Sequence, residues 1–163
     1  MEIIRNAYFP LLEGIDMYDR ILVPTDGSEC ADRAVAHALD IAAQYDAELR
    51  VLSVIDSRDV SHSAPAISAE QIEKTLRERA ESIVADVADR AEEAGVQVVT
   101  AVEPGIPDDV VVDYAEENDC DLIVMGTHGR TGIQRYLLGS VTERTVRRSS
   151  VPVLTVRDDE EER

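Results

Sequence analysis

Asp121-Leu-Ile-Val-Met-Gly126, continued by Thr127-His-Gly-Arg-Thr-Gly132 and, after six intervening residues, by Gly139-Ser140, is the stretch that decides the fold. A short apolar run ending in glycine reads as a strand buried on both faces. Glycines at 126, 129, 132 and 139 let the chain turn sharply and let backbone N–H groups approach an anion with no Cβ in the way. Ser140 then opens a helix, whose N-terminal dipole favours negative charge. Strand, glycine-rich loop and helix N-terminus together make a phosphate cradle, and the ligand they point to is a nucleotide.

Outward from this stretch, short apolar runs alternate with longer helical patterns, which predicts a parallel sheet covered on both faces. Strands are predicted near 20–25, 48–55, 96–103, 121–126 and 151–157. Ala31, Ala34, Val35, Ala38, Ile41 and Ala42 recur at helical spacing, and their small size lets a first helix sit close to the sheet. Ser68-Ala-Glu-Gln71 is a capping box opening the longest helix, with Ile72, Leu76, Ala80, Ile83, Val87, Ala91 and Ala94 as its apolar stripe and Gly95 as its end. Pro107 suits the first turn of the next helix; Asp108 and Asp109 complement its dipole, and Val110, Val111 and Tyr114 turn inward. Ser57 to Ile67, rich in Ser, Asp and Ala, is expected to be a mobile connection, either a lid or a variable surface loop.

Arg20-Ile-Leu-Val-Pro-Thr-Asp-Gly-Ser28, Val51-Leu-Ser-Val-Ile-Asp56, Met125 to Gly132 and Gly139-Ser140 stand in this order in one chain. Together they resemble the universal stress protein family, specifically its ATP-binding branch, and the resemblance covers Met17 to Arg157. It implies an α/β fold: a single doubly wound, parallel five-stranded sheet of order 3-2-1-4-5 with helices on both faces. It also implies a domain that is usually dimeric, binds ATP and is produced or used under stress, often with no established chemistry.

In such a sheet, ligands collect at the carboxyl ends of the strands where successive connections diverge, here between the first and fourth strands. The first delivers Pro24, Thr25 and Asp26. A carboxylate repels phosphate but accepts hydrogen bonds from ribose or adenine, and the resemblance puts Asp26 on the nucleoside side; the alternative is a helix cap shared with Ser28. Val54 matches the position whose backbone meets adenine in the family, with Pro24 and Thr25 as the neighbouring wall. Gly126, Thr127, His128, Gly129, Arg130, Thr131 and Gly132 form the phosphate loop, and Gly139, Ser140, Val141 and Thr142 the helix start. Ser140-Val-Thr-Glu143 is also a capping box. Arg130 and Arg135 are candidates for partial charge neutralisation. There is no Gly-x-x-x-x-Gly-Lys-Ser/Thr, so this is no P-loop ATPase. Mg2+ is expected to arrive with the phosphates of ATP, there being no dedicated carboxylate cluster for it. His128 lacks an identifiable nucleophile or carboxylate partner, and no catalytic residue is assigned.

The formal charge is −18, with 16 basic and 34 acidic side chains. Such a surface repels nucleic acid and acidic membrane leaflets, and no run reaches the roughly 20 apolar residues of a spanning helix. Lys74 is the sole lysine, so arginine carries nearly all the positive charge; an acidic, lysine-poor surface fits either a salt-rich cytoplasm or an ordinary acidic protein. Cys30 and Cys120 read as packed thiols in a reducing, cytoplasmic setting. The domain is expected over 17–157, residues 1–16 being an extension or a mis-assigned start and 158–163 an acidic tail. Pro152 to Val156 is expected at a sheet edge, where it pairs with a second copy to give a homodimer. The leading functional expectation is an ATP-binding regulatory protein read by a protein partner whose identity the sequence does not give; the alternatives are a slow ATP hydrolase and a nucleotide-free interaction module.

Overall fold

The computed structural model describes residues 17–61, 68–129 and 138–157. Arg130, Thr131, Gly132 and Arg135 lie outside the described residues, as do the first sixteen residues and the acidic end from 158 onward. In chain order the elements are β1 (Arg20–Pro24), α1 (Glu29–Tyr45), β2 (Glu48–Asp56), α2 (Ser57–Ser61), α3 (Ala69–Glu93), β3 (Val98–Gly105), α4 (Pro107–Glu117), β4 (Leu122–Gly126), α5 (Ser140–Arg148) and β5 (Val153–Val156). The strands form one sheet, all parallel as the alternating pattern predicts, and their order β3-β2-β1-β4-β5 is the one the family resemblance implies.

Because side chains alternate across a strand, consecutive residues feed two cores. Ile21, Val23, Leu49, Val51 and Val124 face α1 and α3, meeting Ala34, Val35, Ala38, Val84, Val87 and Ala91. Leu22, Leu52, Ile123 and Met125 face the opposite side, against Val111, Ala115 and Cys120 of α4 and its exit. Both cysteines are buried and unbridged.

The predicted caps at the start of α1 and α3 form: Ser28 accepts from the Ala31 amide at 3.2 Å and Ser68 from the Gln71 amide at 3.3 Å. Gly95, at φ +71°, ends α3 just after its C-cap, Ala94. Ala94 is exposed rather than part of the apolar stripe, and Val84 takes an inward place while Ile83 is half-buried. The third strand starts two residues later than predicted. The Val96 amide is spent on the Ala91 carbonyl at 2.9 Å, closing the end of α3, so the ladder with β2 begins at Val98. The last strand is shorter than predicted for a related reason: Pro152 supplies only its carbonyl, to the Ile123 amide at 2.9 Å, and regular pairing starts at Val153. Ser57–Ser61, expected to be a mobile connection, forms the short helix α2; residues 62–67 lie outside the described residues.

Candidate functional site

A crevice of about 860 Å³ opens at the carboxyl ends of β1, β2 and β4. It brings together residues a hundred apart in sequence, as the switch-point argument requires: Pro24, Thr25 and Asp26 from β1, Val54 from β2, and Gly126, His128 and Gly129 after β4. Gly139, Ser140, Val141 and Thr142 complete the wall at the start of α5. Thr127, buried beneath, is tied into the β4 exit by its amide, which donates to the Val156 carbonyl at 2.9 Å.

The loop after β1 is built around two side chains. The Thr25 amide donates to the Leu52 carbonyl at 2.8 Å, and the Thr25 hydroxyl accepts from the Gly27 amide at 3.2 Å. Asp26 Oδ1 accepts from the Ser28 amide at 3.0 Å, a local turn that aims the carboxylate across the crevice. Its Oδ2 lies 2.8 Å from where a Cβ on Gly129 would sit. Ser28 is therefore the cap of α1, and Asp26 reaches across to lie against Gly129 of the second motif-bearing loop.

Two further glycines are explained by close approach. A Cβ on Gly126 would meet the Cys30 backbone and Sγ at 2.9 Å, so α1 can pack its first turn onto the end of β4 only if this residue is glycine. A Cβ on Gly139 would lie 2.9 Å from the Thr127 carbonyl oxygen, which accepts the Gly139 amide at 2.7 Å. That bond folds the chain back onto β4 and sets where α5 begins.

The start of α5 departs from the predicted capping box. Gly139 occupies the cap position, with no side-chain cap bond, and Ser140 is the first helical residue. The Ser140 hydroxyl is therefore one residue too late to cap, and Glu143 bonds Arg147 at 2.7 Å instead of reaching back. The first intrahelical bond runs from the Glu143 amide to the Gly139 carbonyl at 2.8 Å. The amides of Ser140, Val141 and Thr142 have no intrahelical acceptor, and their residues line the crevice. They form an uncapped donor set on the positive end of a helix dipole.

His128 Nδ1 lies 3.0 Å from the Thr127 hydroxyl, which fixes the ring beside the crevice. At the β2 end, Arg58 grips Asp56 through Nε at 2.9 and 3.1 Å and through its terminal nitrogen at 2.5 Å. This hydrogen bonding holds the Asp56 carboxyl below its ordinary range against the opposing effect of burial. Arg58, Leu76 and Arg79 line the crevice from α2 and α3, and none of them was read from the sequence as a site residue. Leu76 was read as core stripe; that the stripe's N-terminal half overhangs the crevice depends on how α3 crosses the sheet, which spacing does not encode. Among the described residues no group of three or more His, Cys, Asp or Glu side chains is placed to hold a metal, and no helix is long and apolar enough to cross a membrane.

Fold and crevice define a doubly wound α/β domain of the kind that takes its ligand where the connections diverge. More specifically, the chain belongs to the universal stress protein family, whose model matches residues 17–157. It is similar to the universal stress protein MJ0531 of Methanocaldococcus jannaschii, 39% identical over 149 residues covering 91% of this chain and 88% of that protein. The solved structure of MJ0577, a universal stress protein of the same organism, superposes with a TM-score of 0.77 at 33% identity, covering 89% of this chain and 99% of that one. A universal stress protein solved in complex with cAMP gives a TM-score of 0.64 at 31% identity, with 86% of this chain and 97% of that chain covered.

Proposed function

We propose that this protein is a nucleotide-binding stress-response regulator whose domain, residues 17–157, holds ATP in the crevice, with Mg2+ carried in on the phosphates. The observation that supports this most is the uncapped start of α5, where three amides without helical acceptors meet a glycine that a side chain would displace. A relative solved with cAMP adds that a family member takes an adenine nucleotide. In this reading the α5 amides and the loop from Gly126 through Gly132 take the phosphates. Asp26 accepts from the ribose hydroxyls, and the Val54 backbone reads the base edge. Occupancy changes a surface that a protein partner reads. Hydrolysis is the second reading, favoured only by the Thr127–His128 pair at the crevice wall, and slow turnover is all that a site without a Walker lysine supports.

The same reading makes the protein a homodimer through β5, which lies at the sheet edge with Leu154 exposed; Val146, on the neighbouring helix α5, is exposed too.

Mass spectrometry of nucleotide released from freshly purified protein, followed by Mg-ATP titration in high salt, tests the proposal. We expect recovered or tightly bound ATP, abolished by Gly139→Val and weakened by Asp26→Ala with an unchanged circular dichroism spectrum. Absence of nucleotide under every salt condition overturns it in favour of an interaction module; ADP or phosphate accumulating with time would add slow hydrolysis.

A further inference from the structure

Helix α5 is unusual among the longer helices because the side chains it buries are polar. Thr142 and Thr145 are its only fully buried residues, and Val146 is 46% exposed. Val141 alone packs an apolar side chain against the core on the α4 side, and directed bonds supply the rest of the hold on the helix. Three sets of these are visible. The Gly139 amide bonds the Thr127 carbonyl, and the Thr142 hydroxyl donates to the Gly126 carbonyl at 2.8 Å; both fix the N-terminal end to β4. The third set fixes the rest of the helix to α4, on which α5 mainly packs.

That third set converges on Asp108. Its side chain is 4% exposed, in the first turn of α4, where the helix dipole favours a carboxylate. Oδ1 takes an Arg144 terminal nitrogen at 3.5 Å and Oδ2 takes one from Arg148 at 3.1 Å. Arg144 and Arg148 are four residues apart on one face of α5, so both reach the same carboxyl group. Arg148 is also bonded by Asp109, the next residue of α4. A carboxylate this deeply buried is tolerated only while it is paired, which makes the geometry of the pair stringent. The same end of α4 also lines the crevice, through Pro107 in its first turn and Val111 in its second.

We propose that Asp108 is a positioning residue for the phosphate end of the site: by clamping Arg144 and Arg148 it fixes the axis of α5 and so the direction in which the Ser140, Val141 and Thr142 amides point. This rests on the nucleotide reading above for its ligand, but not for its geometry. Asp108 does not itself line the crevice. Its effect is transmitted through a rigid helix to donors whose usefulness depends on preorganisation.

The test uses full-length protein carrying Asp108→Asn, which keeps side-chain volume and leaves no buried charge unpaired, and separately Arg144→Gln with Arg148→Gln, which removes both α5 partners of Asp108. Affinities for adenosine and for Mg-ATP are measured by calorimetry, and hydrogen exchange at the Glu143 amide is measured in nucleotide-free protein. We expect the ratio of ATP to adenosine affinity to fall on the order of tenfold, as small misplacements of a preorganised donor set do. Adenosine affinity itself should hold, and Glu143 exchange should quicken. General destabilisation would weaken both ligands together and leave the ratio alone. A folded Asp108→Asn protein, or a folded double arginine variant, with an unchanged or increased ratio overturns the positioning role. A wild-type protein that binds neither ligand overturns the nucleotide reading instead, and Glu143 exchange then decides the positioning role by itself: slow exchange in the variants refutes it.

Discussion

Cys120 shows how one residue reports on its surroundings. Burial pushes its thiol up to about 11, while the nearby Arg50 guanidinium pulls the other way. The folded value lies above the unfolded one, so the folded state keeps a proton that the unfolded state gives up. The resulting stability is fully present below the ordinary thiol range and is lost as pH rises through the folded value. We expect the stability difference between wild type and Cys120→Ala, followed by urea unfolding, to shrink as pH is raised from 8 towards 11; a pH-independent difference would mean the thiol titrates normally. The residue-level reading of the site was uneven for a physical reason. Asp26 and Gly139 were identifiable because carboxylates and glycines at those places have few other uses. Ser140 was read as a cap, yet capping depends on where the helix starts, and that start is set by the Gly139–Thr127 bond, which exists only once the loop has folded back.

Among the elements, α3 carries the plainest signal and the plainest limit. Its stop at Gly95 is a backbone requirement, φ +71° with open space around the missing Cβ. Gly95→Ala should therefore destabilise the protein by about 1 kcal/mol through left-handed strain alone, since there is nothing to clash with. Thermal or urea unfolding checks this; no loss would mean that the turn relaxes to another conformation. The position of its inward face was legible to within one residue, Val84 replacing Ile83 in the core. The reason is the loop after β1: Ile83 lies over Gly27, 3.0 Å from where a Cβ would be, and so packs against a turn instead of the sheet. α5 is the opposite case. Its short, charged sequence offers only Val141 and Val146 as apolar residues, and its placement depends on Thr142, Arg144 and Arg148 finding Gly126 and Asp108, residues on other elements.

At the scale of the whole molecule, a formal charge of −18 makes the folded state self-repelling. At about 1 M salt the screening length falls to roughly 3 Å, so the repulsion between surface carboxylates is largely removed. We expect the unfolding midpoint to rise between low and multimolar KCl, and light scattering on a sizing column to show a dimer that strengthens over the same range. A flat midpoint would mark an ordinary acidic surface, and a monomer across micromolar concentrations would refute pairing through β5. The sequence by itself determined the strand count, the parallel order, the two helical layers and the end of the sheet where the crevice lies. These follow from hydrophobic period, glycine placement and chain connectivity, which are local or nearly so, together with the family resemblance. Only the tertiary structure decided where α5 begins, that α2 and the N-terminal half of α3 overhang the crevice, and that a buried Asp108 links α4 to α5. Each of those depends on a bond or contact between residues distant in sequence, whose partners cannot be chosen until the sheet has brought them within reach.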